Sequence, residues 1–591
     1  MNRSLRLRLL NSTFAVALTL GLAAGMGLAP LAQAKTEDEV PIKDVVAQAS
    51  LSGSFLAAQV AGNDNDDVNA VAFYERAVEL DPDNGELKRL LFLALTANGR
   101  IQDAVTVARK MPQTGDDTAV TRLVVAVDAL RQKSWSKVGE TLNKTTGGDL
   151  DVMVEELLKA WAMFGAGDVD GAIKAAQNSD GPDWVQVVRN YHAGLMASAA
   201  SKDSEAIPLL EKATENEAAA AVLSETFLRA IEALVRAQVR TGALDDAEKT
   251  LERGFSLLPS HPPFATLKTQ LAEKKALNPL VTSATQGGAE VFYNVGSAIS
   301  RQGGAPLAQS YLQLADNLNP GSDVVSLALA GVFENQKRPE RANVFYDKID
   351  AKSPFHRRAA LEYALNLNTM KENDKAEKML RDLIAEDPDD LIAYSTLGGV
   401  LSQQEKYREA ADVYDAAVAR IIKPESYQWN LYYRRAIAYE RLKEWDKAEP
   451  NFKKAIELSP NQADVLNYLG YSWIDMGINL DEGMDLIRKA VELKPRSGFI
   501  VDSLGWAYYK LGKYDEAVVE LERAVELMPQ DSVVNDHLGD AYWKVGRKLE
   551  ATFQWNHALV GKPEPEEEAK IRLKLQKGLV ETVDSTTKVQ E

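Results

Sequence analysis

The chain has 591 residues, 45% of them hydrophobic, so it can bury an extensive apolar interior but is too long for one compact core. Asp plus Glu outnumber Lys plus Arg by 86 to 68, and the net charge of −18 repels phosphate backbones, which sets nucleic acid aside as a partner. With no cysteine, disulfides, thiol catalysis, cysteine-ligated metal and lipid attachment through a cysteine are excluded.

Residues 1–34 read as a secretory signal. Arg3, Arg6 and Arg8 form a basic start, an apolar run extends from about Phe14 to Ala29, and Ala32-Gln33-Ala34 supplies a small-x-small cleavage pattern. The mature chain is then expected to start at Lys35. The alternative is a retained membrane anchor, because the run is nearly long enough to span. No later segment has the length and apolarity to cross a bilayer.

Downstream, FYERAVELDPDN ends near Asn84 as a clear half-repeat, and AWAMFGAGDVDGAIKAA and RTGALDDAEKTLERGFSLLP are partial matches to the same pattern. Residues 35–273 are therefore expected to be degenerate helical repeats. Lys274 to Gly288 combines Pro279, a Ser/Thr cluster and a glycine pair without helical periodicity, and reads as a joint (274–288) between two helical segments.

From Ala289 the spacing becomes regular. Pro320, Pro354 and Pro388 are separated by 34 residues, as are Pro495, Pro529 and Pro563. A small residue recurs in register at Gly296, Ala330, Ala364, Gly398, Ala436, Gly470, Gly505 and Gly539. Twelve residues later stand Ala308, Ala342, Ala376, Ala410, Ala448, Ala517 and Ala551, each followed after four by a large side chain such as Leu312, Tyr414, Leu521 or Trp555. That spacing puts the Ala and the large residue on one helical face. Each repeat is thus two amphipathic helices: the small residue lets backbones approach, the large one fills the gap, and Pro ends the second helix. One such hairpin cannot bury its apolar face alone, so the units must stack.

The register predicts eight repeats over 289–565. Local departures fall at Ile421 to Pro424 and at Gly477 to Gly483, where Gly483 replaces the expected Ala. Residues 566–591 are expected to form a capping helix and a disordered tail.

LGWAYYKLGKYDEAVVELERAVELMP and LGDAYWKVGRKLEATFQWNHAL resemble tetratricopeptide repeats. The resemblance implies an all-α fold, an α-solenoid of helical hairpins forming a superhelix in two segments. It further implies a concave groove lined by the first helix of each hairpin. In the last three repeats the groove-facing positions are Asn467, Tyr471, Asp502, Trp506, Tyr509, Asp536, Asp540 and Trp543. Aromatics give large contact area at small entropic cost, and an Asn amide both donates to and accepts from a peptide backbone. Chaperone-binding arrays of this family clamp a terminal carboxylate with Lys and Arg, and these positions hold other residue types.

Motif-grade chemistry is missing. The five histidines form no His-Glu-x-x-His pattern, no Gly-x-Ser-x-Gly occurs, and Gly505 to Lys513 has the wrong glycine spacing for a phosphate loop. No catalytic residue, cofactor or metal is expected, and an enzyme is the least supported class. The carboxyl-terminal repeats resemble those of exported bacterial tetratricopeptide proteins, among them periplasmic adaptors of carboxyl-terminal processing proteases. The reading is therefore a periplasmic protein-interaction module for proteins or peptides of basic or mixed charge, possible roles being adaptor for an envelope protease or cell-wall enzymes, or structural scaffold for envelope assembly.

Overall fold

The computed structural model describes residues 41–579 apart from 112–117, 144–147, 178–181 and 217–220. The signal segment 1–34 and the tail beyond 579 lie outside the described residues, so the expectations placed there stand as read from sequence. Every regular element among the described residues is a helix. None of these helices is long and apolar enough to cross a membrane. The chain divides into two compact units, one running to Leu383 and the other starting at Ile384.

In the first unit, hairpins such as Leu51–Asn63 with Asp67–Leu80 and Asp183–Ala199 with Asp203–Glu215 stack in sequence. The sequence places the joint at 274–288, and the structure changes its meaning. Residues 275–283 are indeed outside any helix, but Gly287 and Gly288 lie inside the helix Ala284–Arg301. That helix packs on Asp149–Gly165, Ala119–Arg131, Asp183–Ala199 and Ser224–Thr241, so it belongs to the body that precedes it. A Cβ on Gly287 would stand 2.2 Å from the Trp161 indole. The glycine pair therefore serves close helix packing rather than flexibility. The boundary between compact units falls at 383/384, well beyond the expected joint.

Burying that helix also brings charge inside. Glu290 accepts from Arg229 Nε and Nη2 at 2.9 Å each and from the Tyr191 hydroxyl at 2.8 Å. Burial raises the cost of the Glu290 carboxylate, yet Arg229 and the Tyr191 hydrogen bond hold it below its ordinary value. A buried pair of this kind is tolerable only because its partners are satisfied.

Eight hairpins occupy the interval with regular spacing, from Ala284–Arg301 with Ala305–Leu318 to Ser532–Lys544 with Lys548–Val560. All eight have a residue in the left-handed region between their two helices, at Gly303, Lys337, Lys371, Glu405, Lys443, Gly477, Gly512 and Gly546, with Asn479 a second one after Gly477. Those eight residues are separated by 34, 34, 34, 38, 34, 35 and 34 positions, so the backbone repeats the sequence register and its two departures. The extra residues at 421–424 lead to the short 3-10 turn Ser426–Gln428.

In the second unit the small-against-large pairing is explicit. A Cβ on Gly398 would meet the Tyr414 ring at 2.4 Å, on Gly505 the Leu521 side chain at 2.6 Å, and on Gly539 the Trp555 indole at 2.5 Å. The first helices Ala463–Met476, Gly498–Lys510 and Ser532–Lys544 approach one another more closely than the second helices that follow them do, which puts the first helices on the inner side of the stack. The helix Pro565–Lys577 follows the last hairpin.

Candidate functional site

All eight sequence-predicted groove residues fall on those three first helices. Asn467 and Tyr471 lie on Ala463–Met476, Asp502, Trp506 and Tyr509 on Gly498–Lys510, and Asp536, Asp540 and Trp543 on Ser532–Lys544. Trp506 and Tyr509 stack on one another, while Asp502 and Asp540 are buried, so the eight residues have unequal freedom.

Trp506 is enclosed. Its ring stacks on Tyr509 (4.6 Å between centroids, 7° between planes) and on His537 (3.9 Å, 15°). Two rings that near one centroid would collide on the same face, so they lie on opposite faces and the indole is sandwiched. Trp506 can meet a ligand through its edge, and neither face is open for stacking.

His537 in turn is fixed by Asp502, whose two carboxylate oxygens stand 3.0 and 3.1 Å from Nδ1. Burial by itself pulls the imidazole pKa down, but Asp502, supported by Asp536 and Asp540, carries it above the ordinary value. His537 was not among the predicted groove residues. Its signal in the sequence was the spacing of 35 from Asp502, which places the two side by side on adjacent first helices.

Asp536 and Asp540 are occupied by the chain itself. The Lys574 ammonium, on Pro565–Lys577, donates at 2.8 Å to both Asp536 oxygens and at 2.8 Å to Asp540 Oδ2. The Trp555 indole donates to the other Asp540 oxygen at 2.9 Å. Burial and the neighbouring Asp536 push Asp540 up to about 6, against the pull of Lys574 and Trp555. Trp543 packs at 5.3 Å on Trp555, and Gly578 passes so close that a Cβ there would stand 2.1 Å from the Trp543 ring. Lys574 was also missed, although it follows Asp540 by one repeat of 34.

Tyr471 and Asn467 remain. Tyr471 is half-buried against Ile474, Leu504 and Ala507, and burial with the nearby Asp475 and Asp502 raises its hydroxyl well above the ordinary value. Asn467 Oδ1 is buried and has no hydrogen-bond partner. Trp473 Nε1 and Asn535 Oδ1 in the same unit are likewise buried without a partner, each at a cost on the order of 1–3 kcal/mol. Among the described residues, no three His, Asp or Glu side chains are placed to hold a metal ion.

The first unit has a separate half-open cavity of about 220 Å³. It is lined by Glu225, Arg229, Glu232, His261 and Arg301 together with the apolar Leu327.

Four segments of the chain match family models described as tetratricopeptide repeat or TPR repeat: residues 54–84, 370–426, 429–462 and 505–546. The human protein O-mannosyl-transferase TMTC1 is 26% identical over 184 residues, which are 31% of this chain and 20% of that protein. The chain thus spans about a fifth of that relative's length. Among solved structures, the APC/C hetero-tetramer Cut9–Hcn1 covers 91% of this chain and 98% of its own at 14% identity and a TM-score of 0.37. MamA covers 28% and 94% at 23% identity and 0.26. YrrB, described as a TPR protein with an unusual peptide-binding site, covers 38% and 95% at 20% identity and 0.23. The chain carries tetratricopeptide repeats, and arrays of stacked helical repeats present extended surfaces for binding other proteins.

Proposed function

We propose that this repeat protein works without catalysis as a periplasmic adaptor, holding a partner protein or an extended segment of one along the first helices of its second unit. The partly exposed polar and aromatic side chains of successive first helices carry the reading, and among them the half-buried Asn467 offers its amide to a partner's backbone. Tyr471 beside it, Tyr509 and the edge of Trp506 supply contact area. The excess of carboxylates over the whole chain, 86 Asp plus Glu against 68 Lys plus Arg, favours a partner of basic or mixed charge and disfavours a free carboxylate. Export is supported by the basic start, apolar run and Ala-Gln-Ala pattern of residues 1–34. Delivery of substrates to an envelope protease is the form of adaptor that the family resemblance suggests.

A scaffold that holds several envelope proteins is the second reading, favoured by the polar cavity that the first unit has of its own. Deletion separates the two: an adaptor's loss makes particular substrates accumulate, whereas a scaffold's loss disperses a complex.

The binding claim is tested by crosslinked capture from periplasm, with the parent and an Asn467→Ala, Tyr471→Ala variant compared after circular dichroism shows both folded. We expect a protein captured by the parent to be reduced at least tenfold with the variant. Equal capture by the two would overturn the assignment of the groove.

A further inference from the structure

The helix Pro565–Lys577 stands one repeat beyond Ser532–Lys544, in the place of a ninth first helix, but it is held far more lightly. Ser532–Lys544 buries nine residues and Gly498–Lys510 eight, whereas Pro565–Lys577 buries only Ile571. Leu575 and, beyond the helix, Leu579 add partial cover. Most of its charged groups pair within the helix: Lys570 with Glu566 and Glu567, and Arg572 with Glu568. Those pairs favour the helix as such and do nothing to dock it.

What docks it is Lys574. Without that ammonium, Asp536 and Asp540 would face each other with no cation, and Trp555 already occupies one oxygen of Asp540. Removing one partner of a buried ion pair is strongly unfavourable, so whatever covers this surface has to bring a positive charge. A small apolar anchor and one obligatory cation define a face with modest grip and strict chemistry.

We propose that the surface under Pro565–Lys577 is an exchangeable docking face: a partner helix that presents a lysine to Asp536 and Asp540, with an apolar residue three positions earlier to replace Ile571, displaces the resident helix. The resident sequence Ile571-Arg572-Leu573-Lys574 is the template for that partner. The face lies at the end of the array and does not use Asn467 or Tyr471, so this inference and the groove reading can fail separately.

The probe is a labelled synthetic peptide spanning residues 563–579 of this chain, with a second peptide carrying Lys574→Gln. Each is titrated against the full chain and against a full-chain Lys574→Gln variant. Hydrogen exchange over Ser532–Lys544 serves as the check that the array is folded. The first peptide should bind the variant at least tenfold more tightly than the parent, because the parent's own helix competes. The Lys574→Gln peptide should bind the variant at least tenfold more weakly than the first peptide. A full-chain Ile571→Ala variant, which loosens the resident helix and leaves the acid pair intact, should also bind the first peptide more tightly than the parent. Equal affinity for parent and both variants would show that the resident helix is not displaced. Equal affinity of the two peptides would show that the acid pair does not select a lysine, and absence of binding to every form would overturn the exchange altogether.

Discussion

The buried imidazole of His537 is held on two sides, by Trp506 against its face and Asp502 at Nδ1. Its folded pKa lies above the ordinary value because the surrounding carboxylates outweigh burial. A raised histidine contributes stability that is fully present below the unfolded value of about 6.5 and is lost as pH rises through the folded value. Asp540, pushed up to about 6, acts in the same direction, since its ionisation in place is disfavoured as pH rises. The parent should therefore exceed a His537→Gln variant in melting temperature by more at about pH 5.5 than at about pH 9. A difference that is constant across this range would mean that folding leaves the His537 pKa unshifted, and one that grows with pH would mean that the imidazole is held neutral.

At the scale of helices, the hairpin Ala463–Met476 with Leu480–Leu493 shows how far the packing depends on missing side chains. A Cβ on Gly470 would stand 2.6 Å from the Gly483 carbonyl oxygen, and one on Gly483 3.0 Å from that of Gly470. Backbone meets backbone here, and neither side can move a rotamer to make room. Gly470→Ala should cost on the order of 1–3 kcal/mol by chemical denaturation. A curve identical to that of the parent would contradict the helix pairing. This element was legible in the sequence because each Gly or Ala column records a close approach that recurs with the repeat. The Gly483 departure was visible too, and its reason, a shared glycine contact, was not. The helix Ala284–Arg301 was misread as partly a joint, because Gly287-Gly288 has the composition of a linker while its packing partner, Trp161, lies far away in sequence. Of the groove residues, the elements that carry them followed from the register. Which of them are occupied did not, because that depends on His537 and Lys574 reaching across from neighbouring helices.

For the whole molecule, the chain joins two compact helical units, and the account assigns partner binding to the inner first helices of the second. Repeat arrays bind by matching many shallow contacts, so position on the curve matters more than any one side chain. Tyr471 lies on that inner column, whereas Phe553, on the second helix Lys548–Val560, points outward and is 60% exposed. The most direct measurement places a photocrosslinking benzophenone amino acid at Tyr471 in one form of the chain and at Phe553 in another, followed by irradiation of intact cells that produce each form. The account predicts a protein adduct from position 471 and little or none from position 553. An adduct from 553 with none from 471 would contradict it, and would move the binding surface to the outside of the array.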